Sequence, residues 1–149
     1  MYKCTLLTLD GSTLAEQALP HAIAQAKQFN AELIIVRVVE PLREKVQRYS
    51  TSIERAEKEM LDFVRESLKV VAKDVRAQGV KVRTEALHGR PYVKIIEYAE
   101  SEEVDLVVIC SRGKTGFSRW LMGSVADRVI RGLKTPVLVV RAQTPEFYG

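Results

Sequence analysis

Hydrophobic residues fall into five short runs that alternate with longer amphipathic segments. Four runs are almost continuous in valine, isoleucine and leucine, a composition typical of parallel strands that helices cover on both faces. The run at residues 80–87 alternates apolar and polar residues instead, which predicts a strand near an edge of the sheet. The five runs lie at residues 4–9, 32–39, 80–87, 105–110 and 136–141.

Between these runs, apolar residues recur every three or four positions, as they do along one face of an α-helix. Pro20 lies inside the first helical pattern and should kink that helix or loosen its first turns. Strands that alternate with helices predict right-handed crossovers and an open, doubly wound α/β sheet of parallel strands. The predicted helices cover residues 13–29, about 53–77, a segment from Pro91 and a segment from Ser124.

The composition of the 149 residues is that of a globular protein, with 46% hydrophobic and 28% charged residues. No apolar stretch approaches the roughly 20 residues of a membrane-spanning helix, and the N-terminus lacks the features of a secretory signal. We therefore expect a cytoplasmic location and no membrane partner. The net charge is +4, but acidic and basic residues alternate along much of the chain, which predicts solvated helix surfaces and no nucleic-acid partner.

Residues that could support catalysis or bind a metal ion are scarce. The two cysteines and two histidines show no metal-ligand spacing. No serine, cysteine or threonine can be paired with a histidine as an activated nucleophile, and the G-x-S-x-G motif is absent. We therefore predict no catalytic residues and no protein-bound metal, and at most a weak enzymatic activity.

The loop after the fourth apolar run is the most informative segment. It reads "CSRGKTGFSRWLMGSV" from Cys110, and Gly113 permits backbone conformations closed to other residues. Ser124 begins the next predicted helix, where unpaired amides and the helix dipole favour an anion. Arg112 and Lys114 are expected to add positive charge, so the loop has the features of a phosphate site. Local physics leaves an alternative open, because glycines are common in turns and Ser124 can serve only as a helix N-cap.

Asp10 follows the first run directly, at the edge of the sheet where open α/β folds bind ligands. Its carboxylate has the chemistry to accept hydrogen bonds from ribose hydroxyls. The sequence "DGS" is equally compatible with a turn and a cap before the first helix. A glycine-rich loop on a neighbouring strand favours a nucleotide, although neither the P-loop nor the Rossmann fingerprint is present.

Longer stretches of the chain resemble the single-domain universal stress proteins. The similarity lies in "LLTLDGS", "IIVRVVEP", "ALHGRPYVKIIEYAESEEVDLVVI" and "SRGKTGFSRWLMGSVADRVIRGLKTPVLVV". The resemblance implies five parallel strands in the order 3-2-1-4-5. It also implies a homodimer joined through the last strand, at Val137–Val140. Residues 1–142 are then one nucleotide-binding domain. Residues 143–149 are expected to form a flexible tail, as chain termini commonly do.

The ATP-binding branch of that family carries the motif G-x2-G-x9-G-[ST], whose small residues surround the ribose and phosphates. Gly113, Gly123 and Ser124 match its later elements, whereas Cys110 stands at its first glycine. The family implies a bound ATP, accompanied by Mg²⁺ or Mn²⁺ that phosphate oxygens and water hold. Carried over residue by residue, the implied ligand-binding residues are Thr8, Asp10, Val38, Ile109, Cys110, Gly113, Gly123, Ser124 and Val125.

These residues have separate implied roles. Asp10 would contact the ribose, the backbone of Val38 would contact adenine, and Ile109 would line the base pocket. Cys110 departs from the motif, and its Cβ should restrict the backbone and occupy space that the family leaves to the ligand. Given the implied strand order, Cys4 and Cys110 lie at opposite ends of neighbouring strands, too far apart for a disulfide. We expect Cys110 to be an accessible thiol.

Three functional hypotheses follow. The first is a cytoplasmic ATP-binding stress-response protein that acts as a nucleotide-dependent signalling or interaction module. The second is a dimeric interaction protein that does not bind ATP, motivated by Cys110 at the glycine position. The third is a slow ATPase, which rests only on hydroxyl groups near the expected phosphates, such as that of Ser124.

Overall fold

The computed structural model describes residues 1–42, 50–112 and 122–143. Strands and helices alternate along the chain, with two helices between the first two strands. The elements are β1 (Cys4–Leu9), α1 (Thr13–Glu16), α2 (Leu19–Phe29), β2 (Glu32–Val39), α3 (Ser50–Ala77), β3 (Val82–His88), α4 (Pro91–Ser101), β4 (Leu106–Cys110), α5 (Ser124–Gly132) and β5 (Val137–Val140).

The five strands form one parallel sheet in the order β3-β2-β1-β4-β5. This confirms the predicted fold class and strand order, and it places β3 at an edge as its alternating pattern indicated. The strand order reverses between β1 and β4, because β2 follows on one side of β1 and β4 on the other. In doubly wound sheets, ligands bind beyond the carboxyl ends of the strands at this reversal.

The helices divide into two layers, one on each face of the sheet. Leu7 and Val108 point into a core shared with α2 and α3, which we call the α2/α3 layer. Leu6 and Val107 point into a core shared with α4 and α5, the α4/α5 layer. Because side chains alternate along a strand, the parity of each strand residue determines which layer it faces.

The first predicted helix is interrupted near Pro20, in agreement with the expectation that this residue would disturb it. Ser12 caps α1, since its hydroxyl oxygen accepts a hydrogen bond from the amide of Ala15 at 3.1 Å. The helix ends after Glu16, and α2 begins at Leu19 with Pro20 in its first turn. The missing amide of Pro20 therefore falls where a helix has no internal partner for it.

In the part of the chain that the structure describes, no helix combines the length and the apolar character needed to cross a bilayer.

Strand β5 is the last strand at its side of the sheet, and its first three residues are only partly buried. Pairing of two copies through β5 stays a prediction, which light scattering at micromolar concentration can test.

Candidate functional site

A cavity of about 250 Å³ lies at the carboxyl edge of the sheet, where the strand order reverses. It is mainly apolar, with a minority of polar and charged groups, as small-molecule sites usually are. We call it the edge pocket. Its lining residues are Thr8, Leu9, Asp10, Ala15, Val36, Val38, Glu40, Pro91, Ile95, Ile109, Cys110, Ser111, Arg112, Gly123, Ser124, Val125 and Ala126.

The structure brings together eight of the nine residues that the family resemblance implied. Thr8, Asp10, Val38, Ile109, Cys110, Gly123, Ser124 and Val125 all line the edge pocket. Gly113, the ninth, lies outside the described residues. That these side chains and amides bind a ligand stays a prediction.

The apolar wall of the edge pocket belongs to the α4/α5 layer. Val36 and Ile109 are buried in that core, and Val38 packs against it. Thr8 is on the same face of β1 as Leu6, because it lies between two residues that point the other way. These side chains on β2, β1 and β4 form a mainly apolar surface suited to one face of an aromatic base.

Asp10 both shapes a turn and lines the pocket. One carboxylate oxygen accepts a hydrogen bond from the amide of Ser12 at 2.9 Å, an Asx-turn that leads into α1. The same residue lines the edge pocket. The two interpretations of "DGS" in the sequence are therefore compatible, since the turn holds the carboxylate at the sheet edge.

Gly11 lets the chain leave β1 beside Asp10. Its φ is +84°, a left-handed conformation that residues with a Cβ seldom adopt. A Cβ at this position would also lie 2.6 Å from the guanidinium carbon of Arg37, which comes from β2. The backbone conformation requires glycine here, whereas the Arg37 guanidinium is the far end of a flexible side chain that can move aside.

The expectation that Cys110 is an accessible thiol is wrong. Cys110 is buried in the α2/α3 layer, and its thiol donates a hydrogen bond to the carbonyl oxygen of Leu14 at 3.1 Å. The sulfur is therefore directed towards α1, on the face of β4 opposite Ile109. Cys4 is also a free thiol, in agreement with the prediction that the two cysteines form no disulfide.

Burial raises the pKa of the Cys110 thiol, and the nearby carboxylate of Asp10 adds to this shift, which backbone amides and Arg112 partly oppose. The thiol is therefore protonated and unreactive at neutral pH. In a Cys4→Ser variant at pH 8, we expect iodoacetamide to modify folded Cys110 at least about tenfold more slowly than urea-unfolded Cys110. Mass spectrometry of timed samples measures both rates, and equal rates would contradict the burial of this thiol.

The N-terminus of α5 differs in one detail from the expected arrangement. Gly123, not Ser124, is the N-cap, and no side chain caps the helix. Ser124 is the first helical residue, so the N-cap interpretation of its hydroxyl is wrong. Gly123 is held beside Ser111, the residue that follows β4, because the Gly123 amide donates a hydrogen bond to the carbonyl oxygen of Ser111 at 2.7 Å.

The first turn of α5 lines the edge pocket from Ser124 to Ala126. The amides of a first helical turn have no partners within the helix, and the helix dipole adds partial positive charge at this end. An anionic group is therefore favoured beside this turn.

Two charged residues line the edge pocket besides Asp10. Arg112 follows β4, and it was expected to add positive charge to the phosphate site, whereas Glu40 follows β2 and was not named as a site residue. Glu40 is exposed, whereas Arg112 is buried. The guanidinium of Arg112 donates a hydrogen bond to the carbonyl oxygen of Ala142 at 3.2 Å, so its burial depends on the chain that follows β5.

The pocket also includes residues that no sequence motif marks. Pro91 and Ile95 of α4 and Ala126 of α5 also line it. Val36 could have been found by counting two residues back from Val38 along β2. Whether residues of α4 line the pocket depends on how that helix packs against the sheet, which no local sequence pattern specifies.

A metal ion bound by protein side chains has no support in the described residues, where histidine, cysteine, aspartate and glutamate form no cluster of three or more with suitable geometry. Asp10 and Glu40 are the acidic residues of the edge pocket. The chemistry of the pocket fits an organic ligand with an apolar part and an anionic part.

The sequence profile of the Universal stress protein family matches residues 1–141. Universal stress protein MJ0531 of Methanocaldococcus jannaschii is 39% identical over 146 residues, which cover 98% of this chain and 86% of that protein. The match extends over essentially all of the described structure.

Solved structures show the same fold. Universal stress protein UspA from Lactobacillus plantarum superposes with a TM-score of 0.84 at 22% identity, over 94% of this chain and 98% of that one. A universal stress protein solved in complex with cAMP superposes with a TM-score of 0.65 at 26% identity, over 95% of this chain and 98% of the other. The second structure therefore pairs this fold with an adenine nucleotide.

Proposed function

This chain belongs to the universal stress protein family, and we propose that it binds ATP in the edge pocket and acts as a nucleotide-dependent signalling or interaction module in the stress response. The observation that carries the proposal is the composition of the pocket. Asp10, the apolar surface of Val38 and Ile109, and the N-terminus of α5 at Ser124 all line one cavity.

Each part of ATP has a suitable counterpart in this pocket. Adenine lies against Val38 and Ile109, where apolar contacts cover its face and the backbone of Val38 meets its edge. The Asp10 carboxylate accepts hydrogen bonds from ribose hydroxyls. The phosphates lie towards Ser124 and Arg112, where helix amides and a guanidinium favour negative charge.

A related structure supports the adenine class of ligand. The universal stress protein solved with cAMP shares this fold over nearly its whole length. The cavity volume of about 250 Å³ is slightly below the roughly 300–1,000 Å³ of typical ligand pockets, which suits a nucleoside with phosphates that extend into the open edge.

Mg²⁺ or Mn²⁺ enters this proposal only as a companion of the triphosphate. No cluster of acidic or histidine side chains in the described residues could hold such an ion. Phosphate oxygens and water would therefore provide its ligands, as they commonly do for Mg²⁺ bound with nucleotides.

Calorimetry with the purified protein tests the proposal, with ATP, cAMP and GTP titrated separately in the presence and absence of Mg²⁺. We expect binding of both adenine nucleotides, and GTP binding weaker by at least about tenfold, a difference of about 1.4 kcal/mol. No binding at millimolar ATP with Mg²⁺ would refute the proposal. It would favour the alternative of an interaction protein that does not bind ATP.

A matched pair of variants locates the binding. Val125 lines the edge pocket, whereas Val70 is an exposed residue of α3. Val125→Phe adds a ring to the pocket wall and should weaken ATP binding at least about tenfold, while Val70→Phe leaves it unchanged. Equal affinities for the two variants would place the ligand outside the edge pocket.

A further inference from the structure

Three residues that follow β5 lie across the start of the loop after β4. The amide of Ala142 donates a hydrogen bond to the hydroxyl oxygen of Ser111 at 2.9 Å. In return, the Arg112 guanidinium donates to the carbonyl oxygen of Ala142 at 3.2 Å. The pairing of β5 with β4 continues into this contact, since the Ser111 amide donates to the carbonyl oxygen of Val140 at 2.8 Å. We call residues 141–143 the C-terminal clasp.

The clasp is held from its other side by the turn between α1 and α2. The side-chain amide of Gln17 donates to the carbonyl oxygen of Gln143 at 2.9 Å, and its oxygen accepts from the amide of Gln143 at 2.9 Å. One side chain thus pairs with both backbone groups of Gln143, as a neighbouring strand would, so this first residue of the expected flexible tail is held in place. Such paired bonds define a position more sharply than a single hydrogen bond does.

The clasp reaches both described ends of the connection between β4 and α5. The hydroxyl oxygen of Ser111 accepts a hydrogen bond from the Ala142 amide, and the carbonyl oxygen of Ser111 accepts one from the Gly123 amide at 2.7 Å. Gly123 is the N-cap of α5, and both residues line the edge pocket. A continuous series of hydrogen bonds therefore leads from Gln17 through the clasp to the helix N-terminus.

We infer that the C-terminal clasp positions the phosphate side of the edge pocket. This inference rests on the proposed function, because it concerns the same site. The clasp contacts Ser111 and Arg112, which belong to the part of the pocket that favours an anion. Val38 lies on β2, on the other side of β1, and has no part in this series of bonds. The clasp therefore orders the groups that meet phosphates, whereas none of its described hydrogen bonds involves Val38 or Ile109 of the adenine surface.

The test is a double variant, Gln17→Ala with Ala142→Pro, in which neither changed residue lines the edge pocket. Gln17→Ala removes both hydrogen bonds to Gln143. Ala142→Pro removes the backbone N–H that donates a hydrogen bond to the Ser111 hydroxyl oxygen. Calorimetry measures the affinity for ATP and for adenosine, and a thermal melt verifies the fold. We expect ATP binding to weaken about tenfold while adenosine binding changes less than about twofold.

Gln28→Ala is the matched control, because Gln28 is an exposed glutamine near the opposite end of α2. Its affinity for both ligands should equal that of the unmodified protein. Equal weakening of ATP and adenosine in the double variant would overturn the inference, since the clasp would then act on the whole fold. Unchanged ATP affinity would overturn it as well, and binding of neither ligand to the unmodified protein would refute the proposed function with it.

Discussion

Replacement of Asp10 by asparagine is expected to weaken ATP binding by about 10- to 100-fold with little effect on stability. The Asx-turn needs one acceptor oxygen for the amide of Ser12, and the asparagine side chain still provides it. It lacks the second carboxylate oxygen and the negative charge. A hydrogen bond to a charged group contributes about 1.5–3 kcal/mol, which corresponds to the expected loss.

Calorimetry and thermal melts of Asp10→Asn separate binding from folding. Asp62→Asn is the matched control, because Asp62 is exposed on α3 and pairs with Arg65 one helical turn away. An unchanged ATP affinity in Asp10→Asn would remove Asp10 from the proposed site. A large fall in melting temperature would show that the charge itself supports the turn.

Replacement of Gly11 by alanine is expected to lower the free energy of unfolding by about 1–2 kcal/mol. The loss arises because a residue with a Cβ is forced to a φ of +84°. The new Cβ would also lie 2.6 Å from the Arg37 guanidinium, but this group is the far end of a flexible side chain and moves aside at little cost. Urea titration monitored by circular dichroism measures the change.

Gly79 supplies the control for Gly11, since its φ is +87° but nothing lies within 4 Å of the position of a Cβ. Gly79→Ala should therefore lose the same backbone contribution, about 1–2 kcal/mol. In an Arg37→Ala background, the loss for Gly11→Ala should stay the same, because the Arg37 side chain moves aside at little cost. A loss for Gly11→Ala that clearly exceeds the loss for Gly79→Ala, and that falls to it in the Arg37→Ala background, would contradict this expectation.

The main strands and helices of the fold could be predicted from the sequence because the residue patterns that determine them are local. A run such as 105–110 is apolar at every position except its first, so it forms a strand buried on both faces, and β4 occupies Leu106–Cys110. The alternation in 80–87 marked the edge strand β3. Pro20 disturbed the first helix as expected, although the complete break into α1 and α2 depends on how the two segments pack.

The residues of the candidate site could be predicted from the sequence only in part. Asp10 and Ser124 follow or begin elements whose ends meet at one edge of a parallel sheet, so their proximity follows from topology. The family resemblance added Thr8, Val38 and Ile109, which no local pattern distinguishes from core residues. Sequence reasoning placed the Cys110 side chain in the ligand space, yet its thiol points towards Leu14. The direction of a strand's last side chain depends on register and on the neighbouring helix.

The sequence by itself determined the alternation of strands and helices, the two-sided burial of the sheet and the edge to which Asp10 and Gly123 belong. These features follow from hydrophobic period and from residue types that restrict the backbone, which act over a few residues. Only the tertiary structure decided the layer that Cys110 faces, the burial of Arg112 and the contact of Gln17 with Gln143, 126 positions apart. Such contacts arise from packing between distant segments, and no local pattern of residues encodes them.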